Sequence, residues 1–231
     1  MSTHKKTMIA GNWKMHLTVA QASLLVQRLH ERVQTHKDIE VVLAPTMLQL
    51  QPLSVQLDRR KFRLAAQNAY YKDEGAYTGE VSFTMLRNLV TYALIGHSER
   101  RHIFNESLDE VTQKVAAAYR NGIVPILCVG ETKIEKLSKE TNQVLHDQVV
   151  SALANVTSEE VKNIVIAYEP VWAIGTGDSA KPHDVAAAAR VIKHNIAELY
   201  GTQAAESVRI LYGGSVSADT ASGYLRLPEV D

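Results

Sequence analysis

Short apolar runs rich in Val, Ile, Leu and Ala recur along the chain, at residues 7–13, 40–45, 63–67, 92–96, 124–130, 163–169 and 208–212. They lack clean alternation of apolar and polar positions, which is the pattern of strands buried on both faces. Between them the apolar period lengthens to that of a helix. Residues 19–33 place Ala22, Val26, Leu29 and Val33 near one face. Residues 108–120 follow Ser107, with Glu110 three positions on, a reciprocal N-terminal cap. Residues 133–154 and 184–200 read as longer helices, the second led by Pro182 near its start. Strand then helix, repeated, predicts parallel βαβ units. The runs recur every ~33 residues, near the length of one such unit. No linker or low-complexity stretch interrupts them, so residues 1–231 read as one α/β domain. Two architectures compete, a doubly wound open sheet and a closed (β/α)8 barrel. No Gly-x-Gly-x-x-Gly follows the first run, which weakens the dinucleotide-binding version of the open sheet. Seven units favour the barrel, which closes with eight.

Composition narrows the function classes. The 231 residues are 45% hydrophobic, enough for a sizeable core. Lys+Arg 25 balances Asp+Glu 25, so no global positive charge draws the chain to nucleic acid. The one cysteine, Cys128, excludes an intrachain disulfide. No apolar stretch approaches the ~18 residues of a membrane span. The charged start lacks a long apolar core, against a signal peptide. The expectation is a cytoplasmic protein with no membrane and no nucleic-acid partner. No His-x-x-x-His with a Glu and no cysteine cluster supports a metal.

In either architecture chemistry belongs at the C-terminal ends of the strands. The first run leads into Gly11-Asn12-Trp13-Lys14 and the fourth into Gly96-His97-Ser98-Glu99-Arg100-Arg101. The sixth leads into Glu169-Pro170-Val171-Trp172-Ala173-Ile174-Gly175-Thr176-Gly177, and the seventh into Tyr212-Gly213-Gly214-Ser215. Each feature has an ordinary reading: a strand-end carboxylate paired with Arg, a hydrogen-bonded histidine, a solvated lysine, a glycine turn. Together they offer more. A carboxylate covered by Val171, Trp172 and Ile174 loses water and becomes a better base near neutrality. An apolar, glycine-containing loop after it suggests a lid. A histidine over a helix N-terminus is kept neutral and can donate a hydrogen bond. Gly213-Gly214-Ser215 matches a barrel phosphate cradle. The set suits proton transfer beside the carbonyl of a small phosphorylated substrate.

The sequence closely resembles the triosephosphate isomerase family from about Met8 onward. The motifs are Ala10-Gly11-Asn12-Trp13-Lys14-Met15, Gln67-Asn68, Gly75-Ala76-Tyr77-Thr78-Gly79-Glu80, Ile95 to Arg101, Tyr168 to Gly177 and Tyr212 to Ser215. The resemblance implies a (β/α)8 TIM barrel that interconverts dihydroxyacetone phosphate and D-glyceraldehyde 3-phosphate through an enediolate, in glycolysis and gluconeogenesis. The roles below are the family's, carried over onto matching positions. Glu169 would move the proton between C1 and C2. Neutral His97 would polarise the carbonyl and shuttle protons on the oxygens. Lys14 would stabilise negative charge, Asn12 would bond a substrate oxygen, and Glu99 would support Lys14. Gly175 and Ser215 would offer backbone N–H groups to the phosphate, beside Gly213 and Gly214. The lid would run from Pro170, Val171, Trp172, Ala173 and Ile174 through Thr176 and Gly177 to Ala180, with Tyr212 holding it closed near Ala180. Thr78, on a long loop, would enter a partner subunit near that subunit's own Asn12 and Lys14, giving a homodimer. No cofactor and no metal are implied.

Three departures stand out. His16 takes a place where the family often has Asn, and Asp178-Ser179-Ala180 replaces a Lys-Thr-Ala type of hinge. The sequence ends at Pro228-Glu229-Val230-Asp231, where the family continues with an eighth strand, a Gly-Gly turn and a last helix. The expectation is therefore a barrel whose eighth βα unit is missing, with bare edges on the first and seventh strands and reduced activity and stability. The alternative to a working isomerase is a truncated, poorly active subunit or fragment that keeps only the fold and dimer contacts.

Overall fold

A computed structural model describes residues 5–174 and 179–231. In chain order the regular elements are β1 (Thr7–Asn12), α1 (Val19–Arg32), β2 (Ile39–Ala44), α2 (Met47–Gln56), β3 (Phe62–Ala66), α3 (Phe83–Leu86) and β4 (Tyr92–Ile95). Then follow α4 (Ser98–His102), α5 (Leu108–Arg120), β5 (Val124–Val129), α6 (Lys133–Leu137), α7 (Thr141–Leu153) and β6 (Val165–Tyr168). The last are α8 (Pro182–Tyr200), α9 (Thr202–Ser207), β7 (Arg209–Tyr212) and α10 (Ala218–Leu225). All seven apolar runs form strands, with ends within two residues of the expected ones.

The helices needed more correction. The long helix expected over residues 133–154 is two helices, because Lys139 adopts a left-handed φ of 62° that no α-helix continues through. The helix expected from residue 184 begins at Pro182, whose missing N–H costs nothing in a first turn. Helices α2, α3, α4, α9 and α10 carry too little helical periodicity to stand out in the sequence. In α2 the buried Gln49, Leu50 and Leu53 share a helix with exposed Leu48 and Val55, so polarity does not mark the inner face.

The chain packs as two compact units, Met1–Leu94 with Ala117–Pro125, and Ile95–Ala116 with Ile126–Asp231. In the first, β1 pairs β2 and β2 pairs β3, all parallel, in registers that set Asn12 against Ala44 and Leu43 against Leu64. Tyr92 and Ala93 of β4 pair Ala65 and Ala66 of β3. Val42, Leu50, Leu53, Phe62, Phe83 and Leu86 fill this unit's core. In the second, β6 lies parallel to β5 and β7, with Tyr168 opposite both Val129 and Tyr212. All four residues of β6 are buried, which explains why that run reads as continuously apolar. Helix α8 packs on α7 and β6, burying Val185, Ala188, Ala189, Ile192 and Ile196 at helical spacing. Each large aliphatic buried there contributes roughly 1.5–3 kcal/mol.

The bare edge expected on the seventh strand is not bare at Ile210. Its N–H donates to Asp231 Oδ2 at 2.9 Å, and its carbonyl accepts from the Asp231 N–H at 2.8 Å. Among the described residues no helix is long and apolar enough to cross a membrane.

Candidate active site

In the first unit the expected residues gather where β1 ends. Asn12 is the last residue of β1, and the Trp13 N–H continues the ladder to the Ala44 carbonyl at 3.0 Å. The chain then reverses through Lys14, a lysine at φ 52°. That left-handed conformation costs of order 1 kcal/mol or more and persists only when neighbours impose it. Two contacts do so. The Lys14 N–H donates to Asn12 Oδ1 at 3.0 Å. The Gln67 amide donates to the Lys14 carbonyl at 2.8 Å and to the Ala44 carbonyl at 2.9 Å. Gln67 follows β3, so one side chain ties three strand ends around Lys14. Thr78 sits exposed on a loop closed at its base by the Tyr70 N–H on the Val81 carbonyl, with Tyr70 against Tyr71 and Tyr77.

In the second unit His97 follows Ile95 and Gly96. Gly96 has φ 69°, and a Cβ there would meet Arg101 Nη2 at 2.5 Å, so only glycine fits. Arg101 spends its guanidinium on the carbonyls of Gly96 (2.7 Å) and Cys128 (3.0 Å). After this turn His97 caps α4, and the Glu99 N–H donates to His97 Nδ1 at 3.2 Å. An Nδ1 that accepts leaves the proton of a neutral ring on Nε2. That Nε2 lies 3.5 Å from Glu169 Oε1, while the Glu99 carboxylate lies 3.7 Å from Nδ1.

Glu169 follows β6 and is only 6% exposed. Its N–H donates to the Val129 carbonyl at 2.7 Å, and its Oε2 accepts the Ser98 N–H at 3.1 Å. Small neighbours shape its pocket. A Cβ at Gly130 would lie 1.9 Å from the Glu169 carbonyl oxygen, and one at Gly213 would lie 2.8 Å from its Cγ. Burial, with the charge of Glu169 beside it, pushes the Cys128 thiol well above its usual range, so this cysteine stays protonated.

Beyond Pro170 the chain makes one tight turn over Val171–Ala173. Glu131 anchors it. Its carbonyl accepts the Val171 N–H at 3.0 Å, and its buried carboxylate accepts Trp172 Nε1 at 2.9 Å and the Tyr168 hydroxyl at 3.1 Å. Burial and the Glu131 charge hold the Tyr168 phenol above its usual value. The Lys136 ammonium sits 3.3 Å from the centre of the Trp172 ring. Ser215 Oγ donates to the Ala173 carbonyl at 2.9 Å. Gly175, Thr176, Gly177 and Asp178 lie outside the described residues. Past them, the Ala180 N–H donates to the Tyr212 hydroxyl at 3.2 Å. The Tyr224 hydroxyl donates to the Ala180 carbonyl at 2.8 Å, with the two tyrosine rings 4.2 Å apart.

The structure thus joins Asn12 to Lys14 in one unit, and His97, Glu99 and Glu169 in the other. Sequence reasoning missed Glu131 and Tyr224. Glu131 directly follows the fifth apolar run, so the strand-end rule that found Glu169 could have found it. Among the described residues no group of three or more His, Cys, Asp or Glu side chains could hold a metal ion.

A family model described as triosephosphate isomerase matches residues 7–231. The chain belongs to the triosephosphate isomerase family. Its fold class is accordingly the TIM barrel, consistent with parallel strands alternating with helices in each unit. A triosephosphate isomerase of Caldanaerobacter subterraneus subsp. tengcongensis is 43% identical over 98% of this chain and 92% of its own length. One of Carboxydothermus hydrogenoformans is 41% identical over 98% and 91%. One of Dictyoglomus thermophilum is 40% identical over 98% and 92%. These triosephosphate isomerases share the chain almost end to end with the region that carries Asn12, His97 and Glu169.

Proposed function

We propose that the protein is a working triosephosphate isomerase, interconverting dihydroxyacetone phosphate and D-glyceraldehyde 3-phosphate by proton transfer through an enediolate. The observation that carries this reading is His97 Nε2 at 3.5 Å from the buried Glu169 carboxylate, with Nδ1 engaged by the Glu99 N–H. A carboxylate poised beside a neutral N–H donor can take a proton from carbon while the ring hydrogen-bonds the adjacent oxygen. In this reading Glu169 carries the proton between C1 and C2, and His97 moves protons between the two oxygens. Lys14 offsets the enediolate charge, Asn12 bonds a substrate oxygen, and Glu99 supports the proton-transfer geometry. The phosphate lies on backbone N–H groups of Gly175 and Ser215, beside Gly213 and Gly214. The lid from Pro170 to Ala180 shuts water out, and the Tyr212 bond to Ala180 holds it.

The same reading takes residues 1–231 as one domain of a cytoplasmic homodimer serving glycolysis and gluconeogenesis, without cofactor or metal. Exposed apolar side chains in the first unit support the dimer: Met15 is 92% exposed, Leu48 83% and Met85 66%. Thr78 would then sit in the partner's pocket. Nothing in the geometry favours a poorly active subunit. The test is an assay of dihydroxyacetone phosphate turnover in deuterated water. Aldehyde product carrying deuterium at C2 is expected; a folded protein that leaves the ketose unchanged would sink the proposal.

A further inference from the structure

A cavity of about 560 Å³ opens in the first unit where the chain enters β3 and β4. This is the N-terminal side of the parallel strands, whereas Asn12 and Lys14 follow the C-terminal end of β1. Four arginines line it, Arg59, Arg63, Arg87 and Arg120, and no Asp or Glu does among the described residues. Two are offset by carboxylates behind them. Arg120 pairs Asp73 at 3.1 Å, and Arg63 Nε lies 3.8 Å from Glu40, whose other oxygen accepts the Tyr92 hydroxyl. The other two pair with no carboxylate among the described residues. Arg59 donates to the Asn88 carbonyl at 3.4 Å, and Arg87 to Asn121 Oδ1 at 3.0 Å. Asn121 is itself buried and bonded to Asp73 and the Ala117 carbonyl, so it fixes Arg87 in place. Asn88, at φ 66°, turns the chain beside the two guanidinium groups. The C-terminal ends of α2, α3 and α5 reach this rim, and their partial negative charge draws arginine there. Partial charges do not cancel two full ones. Leu57, Leu64 and Leu89 supply an apolar part of the lining.

We propose that this cavity binds a small organic molecule carrying two phosphoryl groups. Guanidinium forks match phosphate oxygens two at a time, and Arg59 and Arg87 hold most of their N–H groups uncommitted. The volume falls in the range of small-molecule sites, about 300–1,000 Å³, and far exceeds one phosphate ion. The leucines then meet the carbon skeleton.

The test is titration calorimetry on the full chain at low ionic strength, with excess glycerol 3-phosphate occupying any triose phosphate site. The probes are fructose 1,6-bisphosphate, pyrophosphate and inorganic phosphate. The bisphosphate should bind the unaltered protein, and a variant combining Arg59→Ala with Arg87→Ala should lose at least tenfold in affinity. Both arginines are exposed at the rim, so melting and triose phosphate turnover should stay unchanged. Arg59→Lys with Arg87→Lys should recover part of the loss. Equal binding by the alanine variant and the unaltered protein would overturn the proposal, as would no binding at all. Pyrophosphate or inorganic phosphate binding as tightly as the bisphosphate would overturn the organic, two-phosphoryl assignment. Heat of binding is read apart from turnover, so this site stands or falls independently of the isomerase reading.

Discussion

Glu106 and Glu169 are both buried carboxylates in the second unit, and their surroundings could hardly differ more. Glu106 sits between two cations: its Oε2 accepts Arg100 Nε at 2.6 Å and the buried Lys114 ammonium. Burial alone would raise its pKa, but hydrogen bonds and charge from Lys114 and Arg100 outweigh that and hold it below the usual value. Glu169 accepts the Ser98 N–H, is hydrogen-bonded to the Cys128 thiol and faces a histidine ring. The Arg101 guanidinium, which interacts with it through charge, is committed to two carbonyls instead. A carboxylate clamped by two cations is fixed and unreactive. One buried without such a clamp can exchange a proton. The contrast is between a carboxylate that secures structure and one whose burial makes sense as chemistry.

The largest expected effect separates the two directly. Glu169→Ala should lower kcat by roughly 10²–10⁴-fold, the usual worth of a positioned base, with KM and melting temperature little changed. Turnover within tenfold of the unaltered protein would reassign the base. Glu106→Gln should do the reverse. Taking the charge away from a buried ammonium costs about 3–5 kcal/mol of stability, while turnover per folded molecule persists. Denaturant unfolding alongside an active-site-normalised assay checks both halves. A Glu106 variant that is stable but inactive would erase the distinction.

How much of this contrast the sequence carries depends on range. Glu169 was legible because it ends an apolar run, and strand ends point at the site whatever the partners are. His97, Asn12 and Lys14 were found in the same way. The partnership of Glu106 with Lys114 was not legible, because eight residues of spacing across a loop and a helix do not fix who faces whom. The strands were readable since double-sided burial leaves uninterrupted apolar runs. The break at Lys139 was not, because lysine gives no warning of a left-handed φ. Glu131 and Tyr224 matter through contacts with Trp172 and Ala180 that lie 41 and 44 positions away. Single-sequence patterns do not reach that far.

A subtler change tests whether position, and not mere presence, distinguishes Glu169. Gly213→Ala would set a methyl group 2.8 Å from Glu169 Cγ, so the carboxylate must shift by several tenths of an ångström. A misplacement approaching 1 Å is worth ~10²-fold in rate, so a loss of roughly tenfold in kcat is expected with the fold intact. Unchanged kcat would show that the carboxylate tolerates displacement.

The smallest effect is the pH dependence of stability, and its sign follows from Glu106. A carboxylate whose pKa is lowered by folding binds fewer protons in the native state than in the unfolded one. Its stabilisation is complete above the ordinary value of 4.5 and drains away as pH falls through the lower native value. Between pH 6 and pH 3 the unaltered protein should therefore lose more unfolding free energy than Glu106→Gln, which has no proton to gain there. The two stability curves should converge toward acid, with the gap at pH 6 reporting the clamp. Parallel curves over that range would mean that Arg100 and Lys114 do not hold Glu106 ionised.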